Sequence, residues 1–271
     1  MTLCKITSAV LIVILLLSLF APYIAPYNPN EIDMGNRLSK PSTKNFLGTD
    51  SLGRDVFSRI LYGGRTSILL SIIASMLTML LGLILGIISG YFGGKLDSFI
   101  QILVNIFQAL PSISFMISLI GIMGPGIKSI LFSVVLTSWA NFSRIVRGEV
   151  LKIREENYIE GARALGAKNF YIIIYHIIPN IIGPFIVLFT TRIGKVILSI
   201  AGLSFLGLGL QPPTPDWGVM ISDAKTYYIS NPILIIAPGM CIMVLSLSIN
   251  LLGDALRDYL DSSEKSYTQL L

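Results

Sequence analysis

Six apolar runs, each close to the length of a membrane crossing, alternate with polar stretches along this chain. They cover residues 6–20, 66–89, 99–120, 129–142, 181–198 and 232–252, and Pro111 breaks the third. The hydrocarbon core of a bilayer takes about 20 apolar residues in helical form. With no water there, a helix is the form in which such a run satisfies its own backbone. The pattern predicts an all-α polytopic membrane protein with about six transmembrane helices. Its parts are a first transmembrane helix at 1–27, an extracytoplasmic segment at 28–65, a core of five helices at 66–253 and a cytoplasmic tail at 254–271. Within the second run, Gly82, Gly86 and Gly90 recur every four residues. That spacing lines one helix face with small residues and lets a second backbone approach closely.

Composition narrows the class. Of the 271 residues, 53% are hydrophobic and 13% charged, against about 25% charged in a soluble domain. A soluble enzyme and a disordered chain are both excluded. The net charge of +5 comes from scattered Lys and Arg, without the stripe that nucleic acid requires. Six crossings place both termini on one side. If that side is cytoplasmic, it holds ten Lys and Arg against eight outside, and residues 144–168 alone carry six beside a span. Inside loops are the ones enriched in these residues, so both termini are expected in the cytoplasm. Cleavage of the first helix as a signal peptide is disfavoured, because the small-residue site at Ala25 is followed by Pro26.

Catalytic chemistry has little to stand on. Cys4 and Cys241 are far apart and read as free thiols, and a single histidine, His176, rules out a multi-histidine metal site. No P-loop is present: Gly94-Lys95 is followed by Leu96 and Gly194-Lys195 by Val196. There is no H-E-x-x-H and no G-x-S-x-G, and His176 reads as a structural residue. A secondary transporter is the rival class, yet no Asp or Glu lies in a span and no internal repeat is visible. The chain is expected to be non-catalytic, without cofactor or metal. Arg192 and Lys195 are the charges left inside a span. Burying such a charge costs at least about 2.5 kcal/mol, so the pair either lines a passage and attracts carboxylate-rich solutes or snorkels to an interface.

Residues 144–179 form a loop that is helical by pattern but too polar to insert. It reads as two short helices hinged at Gly166, a knob on which another protein can push; a plain solvated surface is the simpler account. In the outer segment, Asp50, Arg54 and Asp55 are available either to pair with an external partner or to cap a surface helix.

The string EGARALGAKNFYIIIYHIIPN, residues 160–180, has Glu160, Ala162, Gly166 and Pro179 spaced as in the EAA loop of bacterial ABC importer permeases, which it resembles. Gly161 departs from the usual Ala there. FLGTDSLGRDVFSR at 46–59, LSFLGLGLQPPTPDWG at 203–218 and NLLGDALRDYLD at 250–261 are similar to the C-type permeases of dipeptide, oligopeptide and nickel importers. The resemblance implies a type I ABC importer permease fold. It also implies a second homologous permease, two ATP-binding subunits and an extracytoplasmic solute-binding protein as partners, in contact with membrane lipid. Glu160, Gly161, Ala162, Gly166 and Pro179 would form the ATPase-coupling element. Peptide-type members usually carry Glu where this chain has Ile200, and GKVILSIAGLSFLGLG with WGVMISDA looks more like nickel-type members. The expected solute is therefore nickel or a nickel chelate, with peptides as the alternative.

Overall fold

In the computed structural model, the backbone is described for residues 2–268 and the side chains for residues 7–258. Cys4, Lys5 and Lys265 thus lie outside the described side chains. The chain is built of helices: α1 Thr2–Leu19, α2 Ala21–Ile24, α3 Val56–Phe92, α4 Gly94–Ala109, α5 Ser112–Met123, α6 Ile127–Arg154, α7 Asn157–Ala164, α8 Asn169–Ile172, α9 Ile178–Phe205, α10 Trp217–Asp223 and α11 Ile233–Thr268. A single π turn, Ile173–Ile177, joins α8 to α9. Four unbroken helical stretches among the described residues are long and apolar enough to span: α3, α6, residues 169–205, and α11. α4 and α5, bent by 91°, add a fifth when the pair is taken as one span. The described part of α1, Thr7–Leu19, is apolar but shorter than these, so the described residues give five spans where six were expected. The bend follows from Pro111, which lacks a donor and holds the preceding Leu110 in extended backbone (φ −81°, ψ 133°).

α3 is 37 residues long, about 55 Å at 1.5 Å per residue, well beyond a bilayer core. It begins ten residues before the apolar run does. Asp55 caps it, accepting a hydrogen bond from the Ser58 amide at 2.8 Å. Its far end stops at Gly93, whose φ of +67° few other residues adopt.

The core of the bundle is the α3–α6 pair. A Cβ on Gly82 would lie 2.4 Å from the Phe142 Cβ, one on Gly86 2.6 Å from the Val146 Cβ, and one on Gly90 2.9 Å from the Val150 Cβ. Both series rise in steps of four, so the two helices run in the same direction and touch backbone to backbone. Tight contact of this kind takes the place of hydrophobic burial, which lipid does not reward. At the outer end, Trp217 fills the space left by Gly63 and Gly64 of α3 and donates its indole N–H to the Ile60 carbonyl at 2.9 Å. Asp216 caps α10 through the Gly218 and Val219 amides and accepts from the Ser67 hydroxyl at 2.7 Å.

The inner loop differs from the expected 144–179. α6 continues unbroken to Arg154, and residues 169–205 form one helical column, leaving only 155–168 outside the long helices. The three arginines that made 144–154 look solvated have partners on neighbouring helices, while Lys152 pairs with Glu149 on α6 itself. Arg147 grips Asp97 of α4 with two bonds of 2.7 and 2.6 Å, and Arg144 donates to Asn105 at 2.6 Å.

Candidate functional site

The segment between α6 and α8 folds into a compact projection. α7 buries Ile159 completely and half-buries Ala162 against Val150, Ile172 and Ile177. Its end is a Schellman turn. Gly166, at φ +83°, sends its N–H to the Arg163 carbonyl, and the Ala167 N–H reaches the Ala162 carbonyl at 3.0 Å. The chain then reverses into α8, and the π turn follows. There the Ile178 N–H reaches back five residues to the Ile173 carbonyl, just before Pro179, which has no N–H to give. The His176 carbonyl accepts from the Asn180 side chain at 2.6 Å.

The reversal brings the two ends of the motif together. Tyr158 of α7 lies 6.1 Å from the His176 ring, and the Asn180 amide reaches its hydroxyl at 3.4 Å. Burial, and then the neighbouring Glu156 carboxylate, push the Tyr158 hydroxyl above its ordinary pKa, so it stays protonated. Glu160, Gly161, Gly166 and Pro179 face outward, and Ala162 faces the core. Leu165 is 91% exposed and Phe170 74%. This projection thus shows exposed apolar side chains among charges of both signs, Glu156 and Glu160 beside Arg163 and Lys168. Exposed apolar surface of this kind is what a protein partner covers.

Arg192 and Lys195 both sit on α9, but the structure separates them. Arg192 turns towards α6, its guanidinium 5.8 Å from the Phe142 ring centre, and its Nε has no hydrogen-bond partner. Lys195 is exposed. Phe142 lies twelve residues before the end of α6 at Arg154, about 18 Å along the axis. Phe142 is also the last residue of the apolar run 129–142, so Arg192 meets α6 at the inner end of that run.

The outer charges are internal. Arg54 is 3% exposed and Arg59 1%. The Asp50 carboxylate takes the Arg54 Nε at 2.7 Å and lies 3.5 Å from the Arg59 Nε, while Asp223 of α10 meets Arg54 at 3.5 Å. Burial pushes the Asp223 carboxyl up, and the two guanidinium groups pull it back. Asp55 is the α3 cap. These charges act locally, on the spanning helix α3 and not on a surface helix as expected: they tie the outer segment to α3 and α10. Asp223 was not foreseen among them, since it stands far away in sequence.

Residues 82–265 match the family described as Binding-protein-dependent transport system inner membrane component, and residues 6–41 match the N-terminal TM domain of oligopeptide transport permease C. The chain belongs to this family of ABC importer permeases. It is a multi-pass inner-membrane subunit. The glutathione transport system permease protein GsiD of Shigella flexneri is 41% identical over 96% of this chain and 86% of that protein. The dipeptide transport system permease protein DppC of Alkalihalophilus pseudofirmus is 40% identical over 93% of this chain and 83% of that protein. Among solved structures, the inward-facing MetNI methionine ABC transporter has a TM-score of 0.62 at 18% identity, covering 74% of this chain and 96% of that chain. An amino acid ABC transporter gives 0.58 at 15% identity, covering 75% and 94%. These two likenesses concern the fold.

The leaning towards nickel finds no support in these relatives. The structure gives the physical reason. Ile200 is 1% exposed among Leu70, Ile130 and Leu203, and Trp217 to Met220 are buried as well. Ile200, the position on which the leaning turned, is thus packed inside this chain, whereas Lys195, Leu198 and Phe205 of the same string are exposed.

Proposed function

We propose that this permease forms half of a passage for short peptides of the dipeptide and glutathione class. A homologous permease supplies the other half, a solute-binding protein delivers the peptide from outside, and two ATP-binding subunits drive transport, one of them through α7. The observation that carries the substrate reading is the 40–41% identity over nearly the whole chain to permeases named for glutathione and dipeptides.

Two features of the fold support it. The column 169–205 has only 17% of its most apolar window buried, against 61% for α6, so it offers the barest face to a second permease. Lys195 projects from that column. A cation inside an apolar layer needs water or a counter-charge, and every dipeptide brings a carboxylate. At the inner end, Glu160, Gly161 and Leu165 are presented by a helix that Ala162 anchors and Gly166 terminates, ahead of Pro179. An ATP-binding subunit that covers this face can push α7 as a unit. Arg192 stands behind Lys195 and holds α9 against α6.

The importer reconstituted in liposomes with its partner subunits tests the reading. Labelled dipeptide or glutathione should enter with ATP hydrolysis, and nickel should not. Uptake of nickel without peptide would refute it. Lys195→Leu should lower peptide uptake about tenfold, the worth of one charge-assisted hydrogen bond; unchanged uptake would remove Lys195 from the passage.

A further inference from the structure

A displaced α7 moves the bundle only if something grips both. Apolar contact is non-directional, and α7 has one fully buried side chain, Ile159, with Ala162 beside it. The directional contacts converge instead on Tyr91, in the last turn of α3 and 4% exposed. Its hydroxyl donates to the Asn169 Oδ1 at 2.9 Å, at the start of α8. Its ring faces the Arg163 guanidinium at 5.4 Å, from the last turn of α7. Its carbonyl accepts from the Arg154 Nη1 at 3.1 Å, at the end of α6, and the Gly90 carbonyl takes the same group at 3.3 Å.

One residue of α3 therefore touches the end of α6, the end of α7 and the start of α8. Arg163 and Asn169 bracket the Gly166 turn, so Tyr91 clasps the projection on both sides of its sharpest bend. Arg154 also places a cation on the carbonyl end of α3, where the helix dipole favours it. The second directional tie of α7 among the described residues runs from Tyr158 to Asn180 of α9.

We propose that Tyr91 is a positioning residue that transmits displacement of α7 into α3, and so couples ATP hydrolysis to movement of the peptide. The proposal rests on the reading that α7 meets an ATP-binding subunit. Without the clasp, the projection shifts against α3 while the bundle stays in place, and ATP is consumed without transport.

The complete importer in liposomes, with labelled dipeptide and the binding protein, reads this as ATP hydrolysed per dipeptide taken up. Tyr91→Phe keeps the ring and removes the bond to Asn169. It should raise that ratio about fivefold, the factor one net hydrogen bond is worth. Asn169→Ala in the Tyr91→Phe background should add nothing, because both remove the same bond. Arg163→Gln, at an exposed position that tolerates change, should raise the ratio by a smaller factor and guards against a folding defect in the other variants. A wild-type ratio in Tyr91→Phe overturns the proposal. A photo-reactive label on Leu165→Cys, with Cys4 and Cys241 replaced by serine, separates the two levels. Cross-linking to the ATP-binding subunit together with an unchanged ratio sinks the role of Tyr91 alone. Absence of any such cross-link sinks the docking reading and the role of Tyr91 with it.

Discussion

Replacing Gly86 by Ala should weaken the α3–α6 seam measurably. The new Cβ would lie 2.6 Å from the Val146 Cβ and 2.8 Å from the Ser143 carbonyl oxygen, where ordinary contacts sit at about 3.5–4.0 Å. None of the opposing atoms is the end of a flexible side chain, so the helices must separate by some tenths of an ångström or more. Overpacking of this kind costs about 1–3 kcal/mol. Alanine also recovers up to about 1 kcal/mol of helix propensity relative to glycine. The net expectation is a loss of about 1–2 kcal/mol, and more for Gly86→Val. Gly121→Ala on α5 is the control. A Cβ there meets nothing within 4 Å, so only the propensity gain remains and stability should hold or rise. Purified protein titrated with denaturing detergent, followed by circular dichroism, gives both midpoints. If Gly86→Ala and Gly121→Ala shifted the midpoint alike, close packing at the seam would not be what holds α3 to α6.

Gly166→Ala forces a side chain into φ +83° at a cost of about 1–2 kcal/mol; amide exchange should quicken across α7, whereas Gly161→Ala, with open space around it, should slow it. Asp97→Asn breaks the two-bond grip of Arg147 and should cost about 1.5–3 kcal/mol, read as a lower unfolding midpoint. Arg59→Met leaves Asp50 with one cation fewer and the Pro29 carbonyl without its donor. Removing one member of a buried ionic group costs about 3–5 kcal/mol, so protease added from the outside should cut within residues 28–55 far faster than in the wild type.

The spans were legible because a bilayer imposes a length and a polarity that few other structures share. The glycine seam was legible for a related reason: three small residues at one helical period have little use except close approach, and α6 fills the space. Helix ends were not legible. Hydropathy marks where a helix leaves the apolar layer, whereas the helix itself stops where its caps are. α3 starts at Asp55, in a stretch of charges, and α6 passes through Arg144 and Arg147 because Asn105 and Asp97 wait on α4. Such partners stand 39 and 50 residues away, so no local window contains them.

The candidate sites divide along the same line. The turn at Gly166 was readable because that residue acts through its own backbone, whereas Pro179 entered only through the resemblance and the π turn before it was not foreseen. Side chains acting through contacts were not readable. Arg192 and Lys195 are three residues apart, which is about 60° short of a full turn; on a helix packed along one side, that angle is enough to turn one inward and the other outward. Tyr91 shows the limit most plainly. In the sequence it is one aromatic among eleven tyrosines, at the end of an apolar run where such residues are commonplace. Its partners Arg154, Arg163 and Asn169 lie more than sixty residues on, and only the folding back of the inner loop onto α3 gathers them. Local backbone chemistry can therefore be read from a single chain of this family, while transmission between its helices becomes visible only once the helix ends are in place.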